Sequence, residues 1–233
     1  MIAIIGAMDE EVLEIKNIMF DKKESSINGI EFCTGKISNT EVVLLKSGIG
    51  KVNAAICTTL LLSNFQVDNV INIGTAGGLL KEMNPLDVVV STKVAHHDWL
   101  VERFGWPTGF DQEKTCYSAC EKLVAIFNSI LIEDTSYNVF VGPIASGDLF
   151  VSELGDIEKI LSLFPEAMCA EMEACGVAQV CKHFNKPFIV IRSLSDVALN
   201  NDNNIEFDTY LSKASKNSAI WCKKFISKLE QNI

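Results

Sequence analysis

The chain has 233 residues, of which 48% are hydrophobic, and it carries a formal net charge of -10 at pH 7. This length and apolar content suffice for one sizeable core, and the absence of a linker-like or repeated segment predicts a single domain over residues 1–233. The net charge argues against nucleic acid and anionic membranes as partners, because both bind clustered Lys and Arg. The longest apolar run, at residues 54–62, is too short to cross a bilayer.

The first apolar segments bring three acids to one end of the predicted sheet. Residues 2–5 predict a buried strand, and the spacing of apolar residues over 8–19 predicts a helix. Asp9, Glu10 and Glu11 occupy the first turn of this helix, where negative charge suits the helix dipole. Because the triplet follows the strand directly, one of its carboxylates can also face a site at that end of the sheet.

Two glycine-rich segments follow apolar strands. Residues 27–46 predict two strands, and residues 47–51 then form a tight turn before a second helix. This turn lacks the first glycine and the Ser or Thr of a phosphate loop. Residues 70–73 predict another buried strand, which ends in a glycine turn at 74–78. Two such turns favour backbone N–H groups that line a cleft, although tight packing explains either one alone.

A His-His-Asp run at residues 96–98 follows a long predicted strand at 86–95. The chain has only three histidines and no second ligand group at zinc spacing, so we expect no metal and no cofactor. Three large aromatic residues come next in a predicted loop, namely Trp99, Phe104 and Trp106. They favour a subunit contact or a pocket wall.

The eight cysteines do not follow a disulfide framework. Six of them lie within apolar or helical patterns: Cys33, Cys57, Cys169, Cys175, Cys181 and Cys222. Cys116 and Cys120 are four residues apart in a segment, residues 116–132, that predicts an amphipathic helix. Since Met1 leads directly into a strand, no signal peptide is expected. We therefore expect reduced, mostly buried thiols in a cytoplasmic protein.

Three carboxyl groups mark the ends of two later apolar strands. Glu171 and Glu173 follow the first, a helix comes next, and Asp196 with its neighbour Ser195 follows the apolar run at 188–191. Parallel sheets hold ligands at the carboxyl ends of their strands, which places these groups for chemistry. Helix capping explains each acid better when it is taken alone. However, an acid after so apolar a strand is expected to be partly desolvated, which favours its protonated form near neutral pH.

The remaining segments complete an alternating pattern. Residues 139–145 predict a strand, shortly before Phe150, whose ring can stack on a flat ligand or pack in the core. Residues 200–204 form a polar loop that can act as a lid, and residues 207–229 predict an amphipathic closing helix. Strands that alternate with helices predict a three-layer α/β/α domain with a central mixed, partly parallel twisted sheet.

Six short motifs are spread over nearly the whole chain. They are G-A-M-D-E-E at 6–11, K-S-G-I-G-K-V-N-A at 46–54, N-I-G-T-A-G-G at 72–78, S-G-D-L-F-V at 146–151, E-M-E-A at 171–174 and R-S-L-S-D-V-A at 192–198. Together and in this order they resemble the nucleoside phosphorylase/hydrolase superfamily, and most closely its bacterial 5'-methylthioadenosine/S-adenosylhomocysteine nucleosidases. The resemblance implies a nucleoside phosphorylase-like fold. It also implies hydrolysis of both nucleosides to adenine and the thioribose product, within methionine salvage.

The same resemblance implies roles for individual residues. Glu11 would be the general base that activates water, and Asp196 the general acid that protonates adenine N7. Family members are homodimers whose partner completes the pocket, and Val101 and Phe104 match the contributing segment. The substrate would contact Met172 and Glu173 at the ribose, Phe150 and Val151 at the adenine, Ala76 and Gly77 at the base and sugar, Ile49 and Phe207 at the alkylthio group, and also Thr75, Ser195 and Arg192.

The chemistry itself agrees with these roles. Cleavage of an N-glycosidic bond needs a proton donor for the leaving base and a carboxylate that directs water to the opposite face of the sugar. Glu173 can bind ribose hydroxyls by charge-assisted hydrogen bonds. Three alternatives remain open: a purine nucleoside phosphorylase, a non-catalytic nucleoside-binding protein and a futalosine-type nucleoside hydrolase. The first must bind phosphate, usually through Arg, and the chain has only Arg103 and Arg192.

Overall fold

A computed structural model describes residues 1–99, 101–111, 114–131, 137–197 and 203–231, and for residue 131 and residues 203–209 it describes the backbone only. The strands are β1 (Ile2–Gly6), β2 (Phe20–Ile27), β3 (Ile30–Ile37), β4 (Thr40–Lys46), β5 (Asn69–Gly78), β6 (Val88–His96), β7 (Cys116–Ser118), β8 (Val139–Ser146), β9 (Cys169–Glu171) and β10 (Phe188–Val197). The helices are α1 (Asp9–Ile18), α2 (Lys51–Asn64), α3 (Glu121–Leu131), α4 (Leu154–Leu163), α5 (Ala174–His183) and α6 (Asn203–Glu230), with a 3-10 turn at Glu102–Phe104.

The strands form one mixed sheet in the order β10-β6-β8-β9-β5-β1-β4-β3-β2, and β7 pairs with β6 beside this path. β1 pairs in parallel with β4 and β5, and β5 pairs in parallel with β10. Further pairings of β10 with β6, β6 with β8, β8 with β9 and β9 with β5 close a ring of strands. The carboxyl ends of β1, β5 and β10 therefore lie side by side, where parallel sheets hold ligands.

Helices cover both faces of the sheet, and β1 shows why. Ile2 and Ile4 belong to one apolar cluster, which includes side chains of α1, α3 and α6. Ala3 and Ile5 belong to the other cluster, together with side chains of α2 and α5. Successive strand residues point to opposite faces, so an uninterrupted apolar strand fills both clusters. The predicted three-layer α/β/α architecture with a mixed sheet is confirmed.

The structure differs from the predicted elements near β2 and near β7. The two strands predicted within residues 27–46 are β3 and β4, but an additional strand, β2, precedes them and pairs antiparallel with β3. β2 is polar and almost wholly exposed, so no apolar alternation marks it in the sequence. The helix predicted to begin at Cys116 begins instead at Glu121, and residues 116–118 form β7. Tyr117 is buried where β7 pairs with β6. This strand pairing determines the local structure, although the spacing of apolar residues predicts a helix.

The two glycine-rich segments have different structures. Gly48 and Gly50 have φ angles of 79° and 96°, which confirms the predicted turn before α2. Residues 74–78, predicted as a turn, instead continue β5, because they pair with β10 and, at the end, with β9. The glycines thus allow close strand packing at the sheet end.

The predicted lid falls mostly beyond what the structure describes. Residues 200–202 lie outside the described residues, while Asn203 and Asn204 begin α6. Of the helices in the described part of the chain, none is both long enough and apolar enough to span a membrane.

Candidate active site

A cavity of about 240 Å³ opens at the carboxyl ends of β1, β5 and β10. Its described walls are formed by Ala7, Met8, Glu11, Ile49, Thr75, Ala76, Gly77, Leu149, Phe150, Val151, Ala170, Glu171, Met172, Glu173, Ser195 and Asp196. Every predicted site residue is in this set except Arg192 and Phe207. Arg192 lies behind the cavity wall, and the side chain of Phe207 is outside the described residues.

Glu11 is fixed by hydrogen bonds at both carboxylate oxygens. Its Oε2 accepts the N–H groups of Ala7 at 2.8 Å and Met8 at 3.1 Å. Its Oε1 accepts the Thr75 N–H at 2.9 Å and faces the Thr75 hydroxyl at 3.3 Å. Met8 precedes α1, so Glu11 both caps the helix and joins it to the end of β5. The bonds hold the carboxylate, which is 2% exposed, at one place on the cavity wall.

Asp196 reaches the cavity from the end of β10. The Ser195 hydroxyl donates to its Oδ1 at 2.7 Å, and Asp196 is 4% exposed. A side-chain carbon at Gly77 would lie only 3.1 Å from Oδ2, so glycine keeps the space beside this oxygen open. A β-bulge between Leu194 and Asp196 interrupts the register of β10 with β5 at this point. Asp196 therefore lies next to space in which a flat ring can approach.

Glu173 is a buried carboxyl group at the N-terminus of α5. Its Oε1 accepts the Gly50 N–H at 2.9 Å, and its Oε2 lies 3.6 Å from an Arg192 nitrogen. Burial, reinforced by the nearby Glu171 carboxylate, raises the pKa of Glu173 to about 7, although Arg192 and the Gly50 N–H oppose the shift. Glu173 therefore exchanges its proton near neutral pH.

Arg192 organises the acids from behind the cavity instead of lining it. The guanidinium is fully buried and forms a very close ion pair with Glu171. It also donates to the Asn72 side chain at 2.7 Å and to the Ile73 carbonyl at 3.0 Å. Burial disfavours its charge, but the surrounding carboxylates, first Glu171, outweigh burial and raise the pKa of Arg192. Arg192 is therefore absent from the described lining of the cavity, and its guanidinium contacts Glu171, the Asn72 side chain and the Ile73 carbonyl instead.

Glu171 and Asn72 complete this buried network, although the motifs give neither a role. Glu171 accepts the backbone N–H groups of Glu173 at 3.1 Å and Ala174 at 2.9 Å, which caps α5. Asn72 was detectable as a polar residue within the apolar strand at 70–73, since a buried amide must find partners.

The open side of the cavity has apolar walls. They are formed by Ile49, from the turn before α2, and by Leu149, Phe150 and Val151, from the loop after β8. Ile49, Leu149 and Phe150 are each between 43% and 53% exposed. These residues can hold a flat base and an apolar substituent, and they leave apolar surface exposed at the rim.

A model of the phosphorylase superfamily matches residues 1–227 of the chain. The 5'-methylthioadenosine/S-adenosylhomocysteine nucleosidase of Marinomonas sp. (strain MWYL1) is 46% identical over 226 residues, which cover 97% of each chain. The nucleosidase of the same name from Geobacillus sp. (strain WCH70) is 43% identical over 231 residues, or 99% of each chain. The chain belongs to this nucleosidase family.

The fold of this nucleosidase family member also matches solved structures. It is similar to the Neisseria meningitidis nucleosidase in complex with methylthio-immucillin-A, with a TM-score of 0.91 and 35% identity over 97% of both chains. The expected nucleoside phosphorylase-like fold is thereby confirmed.

The His-His-Asp run does not belong to the described walls of the cavity. Burial, with a contribution from Lys51, lowers the pKa of His96 to about 4, and burial also lowers the pKa of His97. The His96 ring packs edge-on against Trp99 at 5.1 Å between centroids. Across the described ranges, no cluster of three or more His, Cys, Asp or Glu side chains is arranged to hold a metal ion.

Proposed function

We propose that the chain is an N-glycosyl hydrolase that cleaves 5'-methylthioadenosine and S-adenosylhomocysteine to adenine and the thioribose product. The observation that carries this proposal is the shared cavity. Glu11 and Asp196, from opposite ends of the chain, line it together with Glu173 and the ring of Phe150. A proton donor, a water-directing carboxylate, a sugar ligand and a stacking surface are the groups that this reaction requires.

Asp196 acts as the general acid in this mechanism. The Ser195 hydroxyl donates to Oδ1 and fixes the orientation of the carboxyl group. A proton on Oδ2, beside the open space at Gly77, is then directed at N7 of an adenine stacked on Phe150. Protonation of N7 withdraws electrons from the glycosidic bond, so adenine leaves as a neutral base and positive charge develops on the ribose.

Glu11 and Glu173 act on the sugar side. Glu11 accepts a proton from water as the water adds to the anomeric carbon, on the face opposite the departing adenine. Glu173, when ionised, accepts hydrogen bonds from the ribose hydroxyls, and Met172 packs beside the ring. The negative charge of these carboxylates also stabilises the oxocarbenium-like transition state.

The charge of the cavity favours water over phosphate as the nucleophile. Among its described lining residues there are four carboxyl groups, Glu11, Glu171, Glu173 and Asp196, and neither Lys nor Arg. The nearest Arg, Arg192, already pairs with Glu171. A phosphate dianion placed there would meet like charge without a cation, which is unfavourable in a buried site.

Product analysis in phosphate-free buffer tests the proposal. Purified protein incubated with 5'-methylthioadenosine should release adenine and methylthioribose at a rate that added phosphate does not change. Strict dependence on phosphate, with a sugar 1-phosphate as product, would identify a phosphorylase instead. Binding of the nucleoside without release of adenine would identify a non-catalytic binding protein.

We also propose that the chain acts as a homodimer. Phe104 is 79% exposed, and Val52 and Ile56 are exposed at successive turns of α2, which begins two residues after Ile49 of the cavity wall. Val101 and Phe104 do not belong to the described walls of their own cavity, and in a dimer this segment would cover the partner's rim. Light scattering should give twice the mass of one chain, and Phe104→Asp should reduce that mass. A wild-type monomer that is fully active would contradict the proposal.

We place this single-domain enzyme in the cytoplasm, within methionine salvage. All eight cysteines are free thiols, and burial raises the pKa of several of them, to about 11 for Cys116 and about 12 for Cys181. Such thiols are poor nucleophiles and suit a reducing compartment. Cell fractionation with an antibody to the chain measures the location.

A further inference from the structure

Three charged side chains outside the reacting groups join the two loops that wall the cavity. Lys51 is the first residue of α2, Asp98 follows β6, and Asp148 lies between β8 and α4. The Lys51 ammonium forms a close ion pair with Asp98 and lies 4.0 Å from Asp148 Oδ2. The Lys51 side chain is only 15% exposed, so solvent screens these charges less than at an open surface. We call these three residues the Lys51 bridge.

Backbone hydrogen bonds tie the Lys51 bridge to both loops. The Lys51 N–H donates to Asp148 Oδ1 at 2.8 Å, and the Asp148 N–H donates to Asp98 Oδ2 at 2.8 Å. Burial opposes ionisation of Asp98, but Lys51 and the Asp148 N–H outweigh burial, and the pKa of Asp98 lies below its ordinary value. Asp98 is therefore ionised beside the Lys51 ammonium. Each Asp contacts this ammonium and also accepts one backbone N–H, that of Asp148 for Asp98 and that of Lys51 for Asp148.

The Lys51 bridge adjoins the residues that face the nucleoside. Ile49 and Gly50 immediately precede Lys51 in the turn before α2, and Phe150 follows Asp148 in the loop after β8. The Gly50 N–H donates to Glu173, and a side-chain carbon at Gly50 would lie 3.0 Å from Asp148 Oδ1. The two loops are thus packed closely where the ion pairs join them, and movement of either one displaces a wall of the cavity.

We propose that Lys51 is a positioning residue for substrate binding. Its ion pairs with Asp98 and Asp148 hold the turn before α2 against the loop after β8. They thereby set the separation of the two apolar walls and direct the Gly50 N–H onto Glu173. Lys51 does not belong to the described walls of the cavity, so it acts through these neighbours. The inference rests on the proposed function for the identity of the substrate.

Lys51→Met tests this role, because Met keeps the apolar stem and removes the charge. We expect the KM for 5'-methylthioadenosine to rise about tenfold, the order of magnitude for loss of a charged hydrogen bond, while kcat changes little because Glu11 and Asp196 stay in place. Lys51→Arg keeps the charge and should recover part of the affinity. Lys16→Met breaks a more exposed ion pair, with Glu24 at 2.5 Å, and should leave KM unchanged.

A second variant separates the bridge from a general loss of folding. Asp98→Asn should also raise KM, and the double variant Lys51→Met/Asp98→Asn should raise it no further than the single variants, because both remove the same interaction. Wild-type KM in Lys51→Met, or a fall in kcat alone, would overturn the proposal. Fully additive effects would also overturn it.

Amide hydrogen exchange measures the Lys51 bridge without any turnover. Lys51→Met should speed exchange in residues 48–51 and 147–151 and leave the strands of the sheet unchanged. Unchanged exchange in both loops would refute the bridge. If the wild-type protein cleaves no 5'-methylthioadenosine, the proposed function fails, and the exchange result still decides whether the bridge holds the loops.

Discussion

Glu173 provides a quantitative test of the electrostatics of the site. Its pKa is raised from 4.5 to about 7, mainly by burial and secondly by the nearby Glu171 carboxylate. A carboxyl group with a raised pKa resists ionisation in the folded protein, while in the unfolded chain it ionises at its ordinary pKa. Its contribution to the free energy of unfolding is therefore fully present below about pH 4.5 and is lost as pH rises through about 7.

Glu173→Gln removes this titration and keeps an oxygen that can accept the Gly50 N–H. A pKa rise of about 2.5 corresponds to roughly 3 kcal/mol. From about pH 4 to about pH 8, the free energy of unfolding of the wild type should therefore fall by roughly 3 kcal/mol relative to Glu173→Gln. Urea unfolding of both proteins at each pH measures the difference. A difference that stays constant over this range would refute the raised pKa.

With Glu173 in its proposed role, we expect the same proton to affect substrate binding. Ribose hydroxyls donate to the ionised carboxylate, so affinity for an uncleaved nucleoside analogue should increase as pH rises through about 7. In Glu173→Gln this increase should be absent. Calorimetric titration at several pH values measures it, and parallel pH profiles for the two proteins would contradict the ribose role.

Asp196→Asn should lower kcat about 10²- to 10⁴-fold, because the general acid is lost. Tm should stay unchanged, because the Ser195 hydroxyl can still donate to the amide oxygen. Adenine release measures kcat and calorimetry measures Tm, and a near-normal rate would refute the acid role. Glu11→Gln should lower kcat comparably and also lower Tm, because an amide NH2 would face buried N–H donors at a cost of about 1–3 kcal/mol; unchanged activity would count against the base. Gly74→Ala should destabilise the protein by about 1–3 kcal/mol or more, because the added carbon would lie 2.0 Å from a buried guanidinium nitrogen. Gly155→Ala, where nothing lies within 4 Å of the added carbon, is its control, and equal urea midpoints would contradict this packing.

The sequence predicted which residues line the cavity because these polar residues follow apolar strands. Glu11 and Asp196 are far apart in the chain, yet β1 and β10 both pair in parallel with β5, so their carboxyl ends converge. Helix capping and a place at the site were competing explanations for Glu11. The structure shows that they are compatible, because the carboxylate caps α1 and also lines the cavity.

Other features could not be read from apolar patterns. β2 is held by backbone hydrogen bonds and exposes polar side chains, so its sequence resembles that of a loop. A β-bulge in β10 lies between Arg192, which is behind the cavity wall, and Asp196, which lines the cavity, and it breaks the alternation of side chains between them. Pairings and bulges of this kind arise from tertiary contacts, which periodicity within one segment does not encode.

The double attachment of Glu11 constrains attempts to redesign the enzyme. A designer who wished to replace hydrolysis by phosphorolysis would first exchange this acid for a basic or neutral group, to admit an anion. That exchange would also leave the amides of Ala7, Met8 and Thr75 without their acceptor. With Glu11 in its proposed role, the choice of nucleophile is tied to how the chain enters its first helix, and a successful conversion would have to rebuild that entrance together with the chemistry.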